Sequence, residues 1–563
     1  MAELNAERIR HSSNYLLSLC IVLIACLAAL PVLTTEMVPL FDYANHLSRA
    51  HVIAGWAQSA TFQAWFEPSS FLIPNVLADL LLVALTHAAG AEPAGRLLLL
   101  AIAALTLGGA LALGRASAGR TEIWPLFTAV FLYNEMFLWG FLNYTLGLGV
   151  LLWGLAAWLG LEGRSRRLQL WAGAFFALAT FFSHLVAFGL FAIAVATLEI
   201  SGVLGNRAGL RAGAFRSRAL LRLTASAGIF VPSAILFFGL SPSSSLPMAM
   251  RFNFEPFAKL SPFTRLLASG NPIADAAVLL AVAVLISTLW AMGRLAIDRR
   301  LGLVAASFFL TLVLLPYSAL QSFFIDSRVA IAVVLVLLPA FRSRIPERCP
   351  ERGPAGIGLA GLMLLMAVRT AVLVQQWSVW DEEYRRILAS FDLVPRGSVL
   401  IAATAAPFEY AEDWVRTRTV APPHEHTASY ATIRRDAIVP GIFAKRGQNP
   451  LVFMPRSRSI GEIALGPIPR VGKSELLRRL AYRASAVRSE LDRIGSLEQG
   501  VFIVAFHVKC TDWPMALSMA PAHCGDAFSI VEVKRRPPPF LARNLQEESP
   551  YQHNWLRWPG QST

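Results

Sequence analysis

Charge is what this sequence has least of. Only 15% of its 563 residues are Asp, Glu, Lys or Arg, against about 25% in a soluble globular chain. The deficit is concentrated in runs: residues 14–35, 97–114, 223–250, 276–293 and 301–325 contain none of these four residue types. Several of the runs reach the roughly 20 residues that a helix needs to cross a bilayer. A single globular core is therefore excluded, and a polytopic membrane protein is expected. Hydrophobic residues make up 55% of the chain and the mean hydropathy is +0.53. No internal repeat and no heptad run is present, which argues against the doubled halves usual in transporters.

Acidic residues are scarcer than basic ones, 36 against 50, for a net charge of +14. In a soluble protein that excess would point to nucleic acid. Here the arginines sit in short loops between apolar runs: Arg164, Arg166 and Arg167; Arg207, Arg211, Arg216, Arg218 and Arg222; Arg294, Arg299 and Arg300; Arg342, Arg344, Arg348 and Arg352. That is the positive-inside pattern of cytoplasmic loops, so no nucleic-acid partner is expected. Cysteines number five. Cys20 and Cys26 lie in the first apolar run and Cys349 in a basic loop. Cys510 and Cys524 could close a small disulfide loop in an oxidising compartment, or stay free.

Apolar runs predict spans near 14–34, 72–89, 96–114, 123–139, 142–161, 168–183, 185–204, 220–240, 273–293, 301–319, 328–341 and 355–375. The polar lead Met1–Ser13 has no small-x-small cleavage site, so the first run reads as an uncleaved span. An N-terminus inside and a C-terminal part outside require an odd number of crossings, so about 11–13 spans are expected. The region 123–204 is where closely abutting runs could hide a short or re-entrant segment. Residues at about 36–70 are too polar to span and predict one or two interfacial helices on the outer surface. Residues 241–272 form a second outer loop. From Trp377 charges become frequent and short β-type runs alternate with helical stretches. Residues 1–376 thus read as a transmembrane domain, 377–535 as a soluble α/β domain, and 536–563 as a loosely ordered tail.

The sharpest feature is a polar island just past the first span, Asp42-Tyr43-Ala44-Asn45-His46-Leu47-Ser48-Arg49. Asp42, His46 and Arg49 are spaced i, i+4, i+7 and share one helix face at the membrane boundary. Asp42 could act as a general base or simply cap the helix. Asn45, His46 and Arg49 beside it favour chemistry, since a cap needs none of them. Polar groups within or at the ends of spans are costly and tend to be functional. They are Glu135, Asn143, Tyr144, His184, Asp326 and Arg328. Arg328 could bind a phosphate through its paired donors, or form a local ion pair with Asp326. Glu135 could be a proton relay, a partner for a loop arginine or a second acid. His424 and His426 could form a metal pair, but no third ligand is evident, so no metal site is indicated. The run Gly466–Ser474 fails as a phosphate loop because its spacing is wrong and it holds two prolines.

The segment from Pro39 to Arg49, together with Pro74 and Arg96 around the following paired spans, resembles the GT-C superfamily. These are polytopic glycosyltransferases that use polyprenyl-phosphate-linked sugars. Trp139–Tyr144, the His184 segment and Asp326-Ser327-Arg328 look like those of an uncharacterised bacterial branch. The chain carries a lone Asp42 where many members have paired acids. The resemblance implies a GT-C-like, α-helical polytopic fold with a C-terminal soluble α/β domain, in the bacterial inner membrane, with that domain periplasmic. It implies a polyprenyl-phosphate-sugar as donor substrate, with no certain cofactor, and sugar transfer to a cell-envelope acceptor. Asp42 would be the catalytic base. His46, Arg49, His184, Asp326 and Arg328 would bind substrate and phosphate, with Asn45, Glu135, Asn143 and Tyr144 accessory. The alternatives are a transporter or lipid flippase, and a non-catalytic envelope scaffold.

Overall fold

The computed structural model describes residues 2–205, 213–246, 249–319, 322–344, 354–404, 423–465, 473–496, 499–506, 508–513, 519–525 and 528–534. The tail 536–563, Cys349, Arg207, Arg211, Arg348 and Arg352 lie outside these residues. So do residues 466–472 of the failed phosphate loop.

The first two-thirds of the described chain is a helical bundle. Its helices are α1 (Ala2–Thr34), α2 (Tyr43–Gly55), α3 (Ala60–Trp65), α4 (Leu77–Ala89), α5 (Ala91–Ala118), α6 (Glu135–Leu138), α7 (Leu142–Gly160) and α8 (Arg166–Ser183). They continue as α9 (Leu185–Gly205), α10 (Gly213–Gly228), α11 (Val231–Ile235), α12 (Pro256–Thr264), α13 (Pro272–Ala291), α14 (Arg299–Leu314), α15 (Ile325–Ala340) and α16 (Pro354–Phe391). Among the described residues, α1, α5, α7, α9, α13 and α16 are long and apolar enough to cross a membrane. The segment Ser217–Leu240 is a seventh candidate, bent by 44°, with Pro232 at the start of its second half. At the other expected positions, α4, α8, α14 and α15 are shorter or more polar. A 16-residue helix rises only about 24 Å.

Eleven of the twelve expected positions hold helices, of which six, or seven with the bent pair, are long and apolar enough to cross a membrane. The exception is 123–139. There Trp124–Phe131 forms a 3-10 helix, followed by the single turn of α6, and nearly every side chain is buried. This is a folded-in segment rather than a span. Close helix approach explains part of the packing. A Cβ on Gly109 of α5 would lie 2.9 Å from Leu152 of α7, and one on Gly149 of α7 would lie 3.0 Å from Leu105. Small residues let backbones meet where lipid offers no hydrophobic drive.

The two ends of the bundle differ chemically. At one end, Arg166 lies 3.2 Å from Glu199, Arg222 2.6 Å from Glu199 and 3.2 Å from Glu162, and Arg300 2.5 Å from Glu162. Beside them, β2 (Leu295–Ile297) pairs antiparallel with β3 (Phe341–Ser343). The other end carries the starts of α2, α4, α7 and α15 and the α8–α9 junction.

Helix α16 runs unbroken for 38 residues through Trp377, about 57 Å and so longer than a bilayer is thick. It delivers the chain to a four-stranded mixed sheet of β4 (Val399–Thr404), β6 (Val501–Phe506), β7 (Met519–Cys524) and β8 (Phe528–Val533), in the order β4-β6-β8-β7. β4 and β6 are parallel, and the crossover between them includes helix Lys473–Arg493. Leu476, Leu477, Leu480, Ala484, Val487 and Leu491 bury one stripe of that helix. All six residues of β6 are buried, the pattern of a central strand covered on both faces. Cys510 and Cys524 form a disulfide, with Cα atoms 5.6 Å apart.

This unit covers the interfacial segment. Strand β1 (Phe66–Pro68) pairs with β5 (Leu451–Phe453), and helix Tyr430–Arg435 packs on α2. As a result α2 does not lie open on a membrane surface: Tyr43 through Ala50 are all buried.

Candidate active site

Asp42 is held from below by its backbone. Its N–H donates to the Trp139 carbonyl at 3.1 Å, and the Phe41 N–H donates to Leu138 at 3.0 Å. Gly140 makes this seat. Its φ is +74°, and a Cβ there would lie 2.8 Å from the Asp42 nitrogen. Any other residue would be both strained and crowded. Asp42 occupies the N-cap position of α2, yet its side chain makes no cap hydrogen bond. Its carboxylate instead approaches His426, with Oδ1 3.5 Å from Nε2, and lies within electrostatic reach of Arg328.

Arg49 and His46 face the same side of α2 but are committed to a partner the sequence did not single out. Arg49 donates to Asp79 of α4 through Nε at 2.9 Å and also through Nη2. Asn143 of α7 donates to the other Asp79 oxygen at 3.0 Å and accepts from the Ala78 N–H at 2.8 Å. Arg49 Nη2 sits 2.8 Å from His46 Nδ1. A guanidinium only donates, so Nδ1 accepts and a neutral ring carries its proton on Nε2. Burial lowers the His46 pKa, with the nearby Arg49 adding to that effect and Asp79 opposing it.

Arg328 forms the second centre. Its Nη1 lies 2.8 Å from His184 Nε2 and 3.3 Å from Ser322 Oγ. Its guanidinium carbon stands 4.4 Å from the centre of the Phe141 ring, a cation–π contact. The Tyr144 hydroxyl donates to the Arg328 carbonyl. Phe324, just before α15, has φ +59°, a conformation costly for a bulky residue. Its ring packs 5.1 Å from Trp139. The Val186 N–H approaches His184 Nδ1 at 3.0 Å while Arg328 Nη1 approaches Nε2 at 2.8 Å; both are donors and a neutral imidazole has one acceptor, so one of them is left unsatisfied by the ring. Arg328 Nε is buried and has no hydrogen-bond partner among the described residues.

The remaining candidates are engaged elsewhere. Asp326 pairs with Lys259 at 2.8 Å rather than with Arg328. Glu135 pairs with Arg265 at 3.2 Å, which makes it the partner of a loop arginine. Asn45 Oδ1 accepts from Ser429 at 2.6 Å. Asp42, Arg328 and His184 therefore cluster, His46, Arg49 and Asn143 converge on Asp79, and Asp326, Glu135 and Asn45 serve neighbouring contacts. Asp79 was detectable as an ionisable residue in an apolar run. His426 had no sequence signal linking it to Asp42. Among the described residues no cluster of three His, Cys, Asp or Glu could hold a metal ion. An apolar cavity lined by Val32, Leu99, Ile102, Phe137, Leu148 and Leu335 holds none of the candidate site residues.

No protein-family model and no curated protein matches this chain. Solved structures do. ArnT from Cupriavidus metallidurans bound to undecaprenyl phosphate aligns over 91% of this chain and 97% of its own, at TM-score 0.50 and 13% identity. The chain has the ArnT fold. The apo structure of the same ArnT aligns over 93% of this chain and 99% of its own, at TM-score 0.48 and 13% identity. The ArnT-like alignment runs nearly the full length of both chains, so it spans the membrane bundle and the C-terminal sheet together.

Proposed function

We propose that this protein is a membrane glycosyltransferase that moves a sugar from a polyprenyl-phosphate donor to a hydroxyl of a cell-envelope acceptor. The observation that carries the reading is the surplus of donors around Arg328. Arg328 Nε is buried without a hydrogen-bond partner among the described residues, and Arg328 Nη1 and the Val186 N–H converge on one imidazole that, when neutral, has a single acceptor. A phosphate would supply the missing acceptor, through charge-assisted bonds that are shorter and stronger than neutral ones. The fold supports the same class of ligand, since the ArnT aligned above was solved with undecaprenyl phosphate.

In this reading the acceptor hydroxyl oxygen attacks the anomeric carbon of the sugar. The bond from that carbon to the phosphate oxygen breaks, and polyprenyl phosphate departs with the electron pair. Asp42 takes the hydroxyl proton, and the anomeric centre inverts. Arg328 and His184 stabilise the charge that grows on the departing phosphate. Arg49 and His46 act from the Asp79 network instead of on the phosphate. The reaction side is periplasmic in this reading, supported by the disulfide in the C-terminal domain and by the arginine-rich opposite end of the bundle.

The test is release of polyprenyl phosphate by purified protein in nanodiscs, with a panel of polyprenyl-phosphate sugars and envelope acceptors. Asp42→Asn keeps volume but removes the base, and should lower the rate by about 10²–10⁴-fold with unchanged folding. Full activity in that variant would remove Asp42 from the mechanism.

A further inference from the structure

His426 comes from the C-terminal domain, yet its ring lies at the proposed catalytic carboxylate. Its Nε2 is 3.5 Å from Asp42 Oδ1. Its ring is boxed edge-on between Phe41, at 4.8 Å, and Phe443, at 5.3 Å. The approach is fixed by docking three residues further along. The Ser429 hydroxyl donates to Asn45 Oδ1 at 2.6 Å, and the Ser429 carbonyl accepts from Ser48 at 2.5 Å. Asn45 and Ser48 are fully buried on α2. One helix therefore carries the carboxylate and the docking face together, so the domain cannot seat without bringing the imidazole to Asp42.

We infer that His426 is a positioning residue for the Asp42 carboxylate, so that the C-terminal domain supplies part of the active site. This rests on the glycosyl-transfer reading above. Asp42 makes no cap bond with its side chain, and its Oδ1 has the His426 Nε2 at 3.5 Å. Burial, and after it the neighbouring His46, pushes the His426 pKa down to about 4. The ring is then neutral near pH 7. It orients the carboxylate through an N–H without placing a second full charge beside it, and the carboxylate keeps its basicity better than it would against a cation. Arg328 lies within electrostatic reach of the same carboxylate.

The experiment compares wild type, His426→Phe and His426→Gln in nanodiscs by two readouts. His426→Phe keeps an aromatic ring between Phe41 and Phe443 and removes the N–H. His426→Gln keeps a donor at a similar reach. The first readout is carbodiimide labelling of Asp42 followed by peptide mass spectrometry, which needs no turnover. The second is steady-state transfer with the donor panel. His426→Phe should label several-fold faster at Asp42. Its kcat should fall by about 10–100-fold, the scale on which misplacing a reacting group costs rate, with donor KM unchanged. His426→Gln should recover most of both. Unchanged Asp42 labelling in His426→Phe overturns the inference whatever the kinetics do, and so does a loss confined to KM. Absence of transfer by the wild type with every donor overturns only the glycosyl-transfer reading. The labelling comparison then still decides whether His426 orients Asp42.

Discussion

Lys259 Nζ lies 2.8 Å from Asp326 Oδ2, and this buried pair leaves the Arg328 guanidinium to face His184. Asp326 and Arg328 are two positions apart in the first turn of α15, so their side chains leave the helix in different directions. The lysine arrives from α12 and also donates to the Leu315 carbonyl at 2.6 Å. With both charges buried, each depends on the other.

Lys259→Ala should therefore destabilise the protein by about 3–5 kcal/mol, because it strands a buried carboxylate. Adding Asp326→Asn should restore much of the loss. Thermal unfolding in detergent measures both. A Lys259→Ala variant that melts like the wild type would mean that water reaches Asp326.

Arg328→Lys tests the phosphate role. A lysine keeps the charge but loses the planar donor fork. The donor is a phosphodiester with one negative charge, whereas the departing phosphate monoester carries up to two. The contact with Arg328 should then strengthen as the bond breaks, so kcat should fall more than KM rises. A drop of about 10–100-fold in kcat/KM fits the loss of one charge-assisted hydrogen bond, worth about 1.5–3 kcal/mol. An effect on KM alone would assign Arg328 to binding rather than to the reaction.

Helical periodicity and charge patterning made the bundle and the basic end legible. Both are local properties of the chain, and a helix satisfies its own backbone. The face shared by Asp42, His46 and Arg49 was legible for the same reason. What each of those residues touches was not. Asp79 reaches Arg49 from 30 positions away, and His426 reaches Asp42 across most of the chain. The segment 123–139 was misleading because an apolar run buried on all sides reads like a span. Its Pro125 and the Tyr133-Asn134-Glu135 break marked where it stops being one helix. The outer helix α2 read as interfacial because its segment is too polar to span. Its polar face is instead spent on Asp79 and on Ser429.

The Arg49–Asp79 pair can be separated from the chemistry it supports. Arg49 is 1% exposed, so Asp79→Ala alone should cost about 3–5 kcal/mol. The double variant Arg49→Met with Asp79→Leu replaces the pair by apolar volume and should be more stable than Asp79→Ala. It should still lose activity, because nothing then fixes the His46 ring through Nδ1. A folded double variant with full kcat would show that His46 needs no such support.

Stability should fall in mild acid through His426. Its pKa drops from 6.5 to about 4 on folding, chiefly because the ring is buried. The unfolded chain takes up a proton near pH 6.5 that the folded protein refuses until about pH 4. The unfolded state binds more protons across that window, so stability rises with pH there. The contribution is complete above pH 6.5 and is lost progressively as pH falls towards 4. At about 1.4 kcal/mol per unit, the loss is at most about 3.5 kcal/mol. His46 shifts in the same direction and adds to the slope. Melting temperatures of wild type and His426→Phe between pH 7 and pH 4 isolate the His426 part, because every other titrating group is common to both. The wild type should lose more stability on acidification than the variant, which has no proton to take up at that position. Parallel curves would mean that the imidazole is solvated in the folded protein, and that the C-terminal domain does not press it against Asp42.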